Sequence, residues 1–598
     1  MPDTTANNAP PGSRAVRTVA DEYVHALADL DPIMATSLGL KPGEYRLPDL
    51  SPAGHGALDD LARSTLEQLT AAETAADAAG NHTSGDERRC ARLLRERLNA
   101  ALAMSAQGEH LREVSNIFAP PHRIRGTFLD MPAATADDWS VIARRMALVP
   151  EALGGYQASL TEGASRGLFA SPKVTEVAAG QMREWAQAGD AGGWFADFAA
   201  AAGTATGAGG TGEAGAAGAA GADGLPGSLR ADLGRAAAAA DEAVGALARW
   251  LGQVYLPQAE GTSDGVGAER YRTCARRWTG ATVDPREAYE WGWSQFSDLQ
   301  EQMRTEAERV LPGASAQQAM AYLDDSGQAI EGVAEIRDWL QDLMDRTIAD
   351  LNGSHFDLAE PLRTVQARIA PPGSAAAPYY TAPSQDFARP GRTWLPTLGR
   401  TRFPLWGLIS TWYHEGVPGH HLQLAQWRYV SGDLSLYQTT VGGVSACSEG
   451  WALYAERLMD ELGYLDTPGA RLGYLDAQNL RAIRVIIDIG MHLELEIPAF
   501  SPFAAGQRWT PDLALEFFTS YSGQGREFLA SEVIRYLSGP GQAISYKLGE
   551  RAWLTGRAAA REAHSARGLE FDLKSWHMAA LSLGSLGLDD LAEELATL

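Results

Sequence analysis

Apolar residues recur at spacings of three and four along most of this chain. In SRAVRTVADEYVHALADLDP, Val16, Val19, Ala20, Tyr23, Val24 and Leu27 share one face of a 3.6-residue repeat, which predicts an amphipathic helix. DERRCARLLRERLNAALAM repeats the pattern. TADDWSVIARRMALVPEALGGYQASL opens with Thr135 as a candidate N-cap and acids in the first turn. In TVDPREAYEWGWSQFSDLQEQMRTEAERVL, Asp284 before Pro285 suits an N-cap followed by a first-turn proline. Strand-like alternation is rare, and PLRTVQARIAPP, with Val365, Ala367 and Ile369 in step, is its best example. The expectation is a mainly α fold: one large helical domain over residues 14–598.

Two stretches fall outside that pattern. Residues 1–13 are polar and Pro-rich and are expected to be disordered. Residues 200–227 are Gly/Ala-rich with few large apolar side chains, too few to offset the entropy of ordering them. Helical patterning resumes on both sides without a change of character. The stretch therefore reads as a flexible insertion in one domain.

The 598 residues suffice for a sizeable core, and 45% of them are apolar. No apolar run is long enough for a secretory signal or a membrane span, so a cytoplasmic location is expected. Three well-separated cysteines, Cys90, Cys274 and Cys447, argue against a disulfide framework or a thiolate metal site. The net charge of -25 disfavours nucleic acid and anionic membrane as partners. A small-molecule or short-peptide substrate is compatible with it.

The chemistry concentrates in WYHEGVPGHHLQ, residues 412–423. His414 and Glu415 open it as the H-E-x-x-H helix of a zinc peptidase opens, but the residue four on from His414 is Pro418. On a regular helix His420 lies about 600 degrees round from His414, on the wrong face, and His421 lies about 10.5 Å along the axis. A straight helix brings neither to a metal shared with His414. Pro418 disrupts the helix and Gly419 tolerates unusual backbone angles, so the pair can bulge outward. His420 then takes the place of the second histidine, and His421 points elsewhere, to substrate or to a supporting role. Three of the chain's 12 histidines fall within these eight positions. Downstream, SACSEGWALYAERLMDELG puts Glu449 and Glu456 on one otherwise apolar helical face, where a carboxylate needs a partner such as zinc. Glu456 taken alone reads as a solvated side chain.

HEGVPGHHLQ followed by EGWALYAE resembles the bacterial domain-of-unknown-function 885 family, a zincin-like group read as metallopeptidases. PYYTAPSQDFARPGRTWLPTLG, LRAIRVIIDIGMH, YLSGPGQAISYKLG and DLDPIMATSLGL resemble further segments of that family, although Ile489 stands where threonine is common. The likeness covers nearly the whole chain except the Gly/Ala insertion. It implies a helical fold with a deep cleft, related to gluzincin peptidases. It further implies His414, His420 and Glu449 as zinc ligands and Glu415 as general base.

The function expected is a zinc-dependent hydrolase, foremost a peptidase of short peptides. A zinc enzyme for another amide or ester, or a zinc-retaining binding protein without turnover, is the alternative. Tyr546 and His492 are the expected oxyanion donors. Arg484, Asp488 and His492 form one polar stripe at spacings of four, in which Arg484 could hold a substrate carboxylate. Tyr380, with Tyr379 and His421, is a further candidate for the cleft lining, though core packing also suits the tyrosines.

Overall fold

The helices expected from periodicity form. The first runs Ala15–Leu30 and buries Val16, Ala20, Val24 and Ala28. Thr135 caps Ala136–Met146 in a reciprocal capping box with Asp138. The helical pattern after Met146 belongs to a separate helix, Val149–Ser165, rather than to one long element. Asp284 accepts from the N–H groups of Arg286 and Glu287 at the start of Pro285–Val310. Each such cap is worth about 1 kcal/mol of helix stability. The computed structural model describes residues 14–78, 84–187, 192–201, 225–371 and 377–598. The expectation for residues 1–13, and most of that for the 200–227 insertion, lies outside these described residues.

The fold is mainly helical and is organised around the helix Pro468–His492. From Leu472 to His492 every residue is buried except Ala477 and Arg481. A helix apolar on all sides belongs in a core. Here Pro285–Val310 packs along it so closely that a Cβ on Gly292 would lie 3.0 Å from Val485 Cγ1. On another side Ser445–Glu461 lies against Ser545–Ala566. A Cβ on Gly450 would stand 2.3 Å from the backbone of Gly549, and a Cβ on Gly549 would stand 2.1 Å from the Ala446 carbonyl. The two backbones therefore touch where both residues lack a side chain. That contact fixes the spacing of the two helix starts, one carrying Glu449 and the other Tyr546.

Strand structure is slight. Val365–Ile369 forms where alternation predicts it and pairs in parallel with Gly391–Leu395. Tyr379–Thr381 pairs antiparallel on the other side of Gly391–Leu395, and a separate pair joins Ala329–Glu331 to Arg402–Pro404. The three-stranded sheet sets Tyr379 and Tyr380 at the edge of the cleft described below. Among the described residues no helix is long and apolar enough to cross a membrane.

Candidate metal centre and its cleft

The HEGVPGHH segment does not form a bulged continuous helix. One helix, Leu408–Glu415, stops, and a second, His420–Tyr429, begins after four residues. Pro418 offers no N–H and its ring would meet the His414 carbonyl in a helix, so the helical ladder cannot run through. Gly419 instead donates its N–H to the Tyr413 carbonyl at 3.0 Å. Its Cβ, if present, would lie 1.9 Å from the His414 carbonyl, so only glycine lets the second helix start this close to the first. The fully buried Trp451 donates its indole N–H to the Pro418 carbonyl at 2.9 Å and pins the break. The mechanism of looping out is thus larger than the two-residue bulge expected, but its result is the one expected. The rings of His414 and His420 meet edge to face with centroids 4.8 Å apart.

Glu449 completes the cluster. Its Oε2 lies 3.4 Å from His414 Nε2 and 3.5 Å from His420 Nε2, and one donor atom each from the three residues fall within 4.8 Å of one another. Bonds of about 2.0–2.1 Å at a tetrahedral angle require donor atoms roughly 3.3 Å apart, so two edges already match a bound zinc. Two imidazoles and a carboxylate are a donor set typical of catalytic zinc, which keeps a fourth position open.

The support for this cluster corrects one reading. Glu456 is not solvated; it is fully buried, with Oε1 2.8 Å from His414 Nδ1 and its other oxygen accepting from the Ser410 hydroxyl. Glu449 and Glu456 sit seven residues apart on one helix, about 10.5 Å along its axis. They therefore grip opposite nitrogens of the same ring. A carboxylate on the far nitrogen of a metal-binding histidine orients the ring and raises its basicity. Burial alone opposes charge on His414, but the two carboxylates outweigh it and push it up to about 9. Burial likewise opposes charge on Glu449, yet hydrogen bonds to both histidines hold it well below the usual carboxylate range.

The cluster opens into a cavity of about 530 Å³, a volume ordinary for a small-ligand site. Glu415 lines it beside His414 and His420. Its carboxylate has no hydrogen-bond partner among the described residues, and burial pushes its pKa upward. Tyr546 lines the same cavity, its ring 4.5 Å from the Arg484 guanidinium carbon. Burial, and after it the charge of Glu449, push its phenol upward. Arg484 also faces the cavity; it donates to Tyr536 Oη at 2.9 Å and to Glu532 at 2.7 Å.

Tyr380 lines the cleft too, but His421 does not. His421 is fully buried with both ring nitrogens engaged, Nε2 to the Leu362 carbonyl at 2.9 Å and Nδ1 to the Tyr380 hydroxyl at 2.9 Å. It holds Tyr380 in place rather than reaching the cavity. His492 requires a similar correction. It lies eight residues beyond Arg484, about 12 Å along the helix, outside the cavity lining. Its Nε2 donates to the Tyr536 carbonyl at 3.0 Å. Asp488, between them, accepts from Tyr271 Oη at 2.6 Å and from the Gly541 N–H at 3.0 Å. The polar stripe is therefore divided between the cleft and the packing. Arg481, which sequence reasoning passed over, lines the cavity instead, three residues before Arg484 and so on the same face.

Fold and site together define a helical protein with a His–His–Glu cluster at the floor of a cleft. The chain belongs to the family described as bacterial protein of unknown function (DUF885), which matches residues 32–595. It is similar to the crystal structure of a protein from Colwellia psychrerythraea described as a "putative lipoprotein", with a TM-score of 0.78 and 19% identity over 98% of this chain and 99% of that one. It is also similar to a "putative lipoprotein of unknown function" from Shewanella oneidensis, with a TM-score of 0.70 and 18% identity over 97% and 99% of the two chains. At such identities the likeness carries the fold alone. No curated protein matches the sequence.

Proposed function

We propose that this protein is a zinc-dependent hydrolase, foremost a metallopeptidase of short peptides. The observation that carries the reading is the approach of one donor atom each from His414, His420 and Glu449 to within 4.8 Å at a cavity that Glu415 also lines. A cluster held only for stability has no use for a further, unpaired carboxylate beside it. A zinc ion held by His414, His420 and Glu449 supplies Lewis acidity towards the scissile carbonyl and acidifies water. Glu415 accepts a proton from the attacking water and returns it to the leaving nitrogen. The water oxygen joins the carbonyl carbon, the C–N bond breaks, and the products are a carboxylic acid and an amine. Tyr546 donates its phenol hydrogen to the oxygen that gains charge in the transition state. Glu456 and Ser410 keep the His414 ring in its orientation.

The test is Glu415→Gln, measured for zinc content and for hydrolysis of a mixed short-peptide library with and without chelator. Zinc content is expected to stay near one equivalent while activity falls about 10²–10⁴-fold, since only proton transfer is removed. Near-normal turnover by the variant rules out the assigned base. A library left intact by the zinc-loaded native protein rules out the peptidase reading in favour of another amide or ester.

A further inference from the structure

Arg481 and Arg484 are both cations on a helix that is otherwise buried around them, and both face the cavity of the metal cluster. Neither is fully satisfied by the protein. Arg484 uses Nε and one terminal nitrogen on Tyr536 and Glu532, but its buried Nη1 has no hydrogen-bond partner among the described residues. Arg481 donates from Nη1 to the Ala477 carbonyl, and its Nη2 stands 3.8 Å from Glu456, while its buried Nε has no partner among the described residues. A buried donor on a permanently charged group is costly to leave unpaired. The complement of two guanidiniums on one face is a carboxylate.

The charge balance points the same way. The carboxylates of the cleft and its ion partners are Glu415, Glu449, Glu456 and Glu532, and the guanidiniums are Arg481, Arg484 and Arg535. Four negative charges against three positive leave one in excess, which a divalent cation converts to one positive charge. The loaded cleft then favours a ligand that presents a negatively charged group to it.

We propose that Arg481 and Arg484 form a carboxylate subsite that anchors the free C-terminus of a short peptide, so that the cleft works from the carboxyl end of its substrate. The inference rests on the hydrolase reading above, and adds to it which end of the peptide is recognised. Tyr546, stacked on Arg484, stands beside this subsite, and Leu424, Leu480 and Phe528 give the neighbouring wall an apolar surface for a substrate side chain.

The test uses the full chain as zinc-loaded Glu415→Gln, with binding of Ala-Phe, Ala-Phe amide and N-acetyl-Ala-Phe followed by calorimetry. Amidation is expected to weaken binding about 10- to 100-fold, the range of a charge-assisted pair, whereas N-acetylation changes it little. Adding Arg481→Gln should weaken the free acid by a similar factor and leave the amide unchanged, with zinc content and melting temperature as controls for the integrity of the site. A free acid that keeps its affinity in that variant sits on the metal or elsewhere, and overturns the subsite. Equal binding of acid and amide also overturns it while the hydrolase reading stands. Loss of binding on acetylation alone assigns recognition to the amino end and overturns it too. If none of the three peptides binds, the subsite and the peptide reading fail together, and zinc content decides the metal cluster separately.

Discussion

Among the described residues two buried histidine–carboxylate groups stand apart, and they end in opposite electrostatic states. At the cleft, carboxylate oxygens stand 2.8 Å and 3.4 Å from the two nitrogens of His414. At the far end of the long helix, the nearest oxygen of Asp488 is 3.7 Å from His492 Nε2, and that nitrogen is already given to a carbonyl. Burial dominates there: it pulls His492 down to about 4 and pushes Asp488 up to about 7 despite the Tyr271 and Gly541 hydrogen bonds. In one group the carboxylates favour a charged imidazole; the other is a neutral imidazole beside a weakened acid. The difference lies in how the partners are delivered. His414 meets acids from a second helix, which approach its ring nitrogens directly. His492 and Asp488 share one helix at a spacing of four, and that spacing leaves the ring free to turn to another acceptor.

The comparison breaks most visibly at Glu449. Glu449→Ala is expected to strip the metal on dialysis and abolish hydrolysis, whereas His492→Asn leaves metal content unchanged; metal analysis of the two proteins side by side separates the groups. Tyr546→Phe is the next largest effect, roughly a hundred- to a thousandfold loss in kcat with KM little changed, as for one lost oxyanion donor. A loss of melting temperature with the rate intact assigns Tyr546 to packing instead. Glu456→Gln removes the charge behind His414 and should weaken metal affinity about 10- to 100-fold, read by competition with a chelator. The smallest effect belongs to the neutral group. The folded-state pKa of Asp488 is raised above its unfolded value, so the native protein holds the extra proton and stability falls as pH rises from about 4 to about 7. Asp488→Asn lacks this loss. Its melting temperature relative to the native protein should therefore climb between pH 5 and pH 8, by about 1–2 °C in a chain of this size. A flat difference shows that Tyr271, His492 and Arg535 hold Asp488 near its ordinary state.

Sequence spacing carried the meeting of His414 and His420, because a histidine pair split by Pro-Gly has few ways to converge, and the motif resemblance singled out Glu449 from the two acids on its helical face. It could not carry Glu456. A glutamate two turns along a helix reads the same whether it meets water or a buried imidazole, and its partners Ser410 and His414 lie more than forty residues away in the chain. His492 misled for the converse reason: helix periodicity groups it with Arg484, but not whether the cleft extends that far. Arg481 was legible in principle, since a spacing of three from Arg484 shares its face. The strands at 379–381 and 391–395 were not. Three residues hold too little alternation to read, and Gly391–Leu395 is buried at every position. The matching of the 885 family over residues 32–595 agrees with the resemblance seen in the motifs.

The contact of Gly450 with Gly549 sets the dimension of the whole site. Glu449 stands one residue before the first glycine and Tyr546 three before the second, so floor and wall of the cleft are gauged against each other by backbone alone. A side chain is a poor ruler, because it can rotate away; two abutting main chains cannot. Enlarging either glycine therefore acts as a shim, widening the gap between ligand and phenol while leaving both groups chemically intact. Gly450→Ala and Gly549→Ala make that gap adjustable by a methyl group at a time.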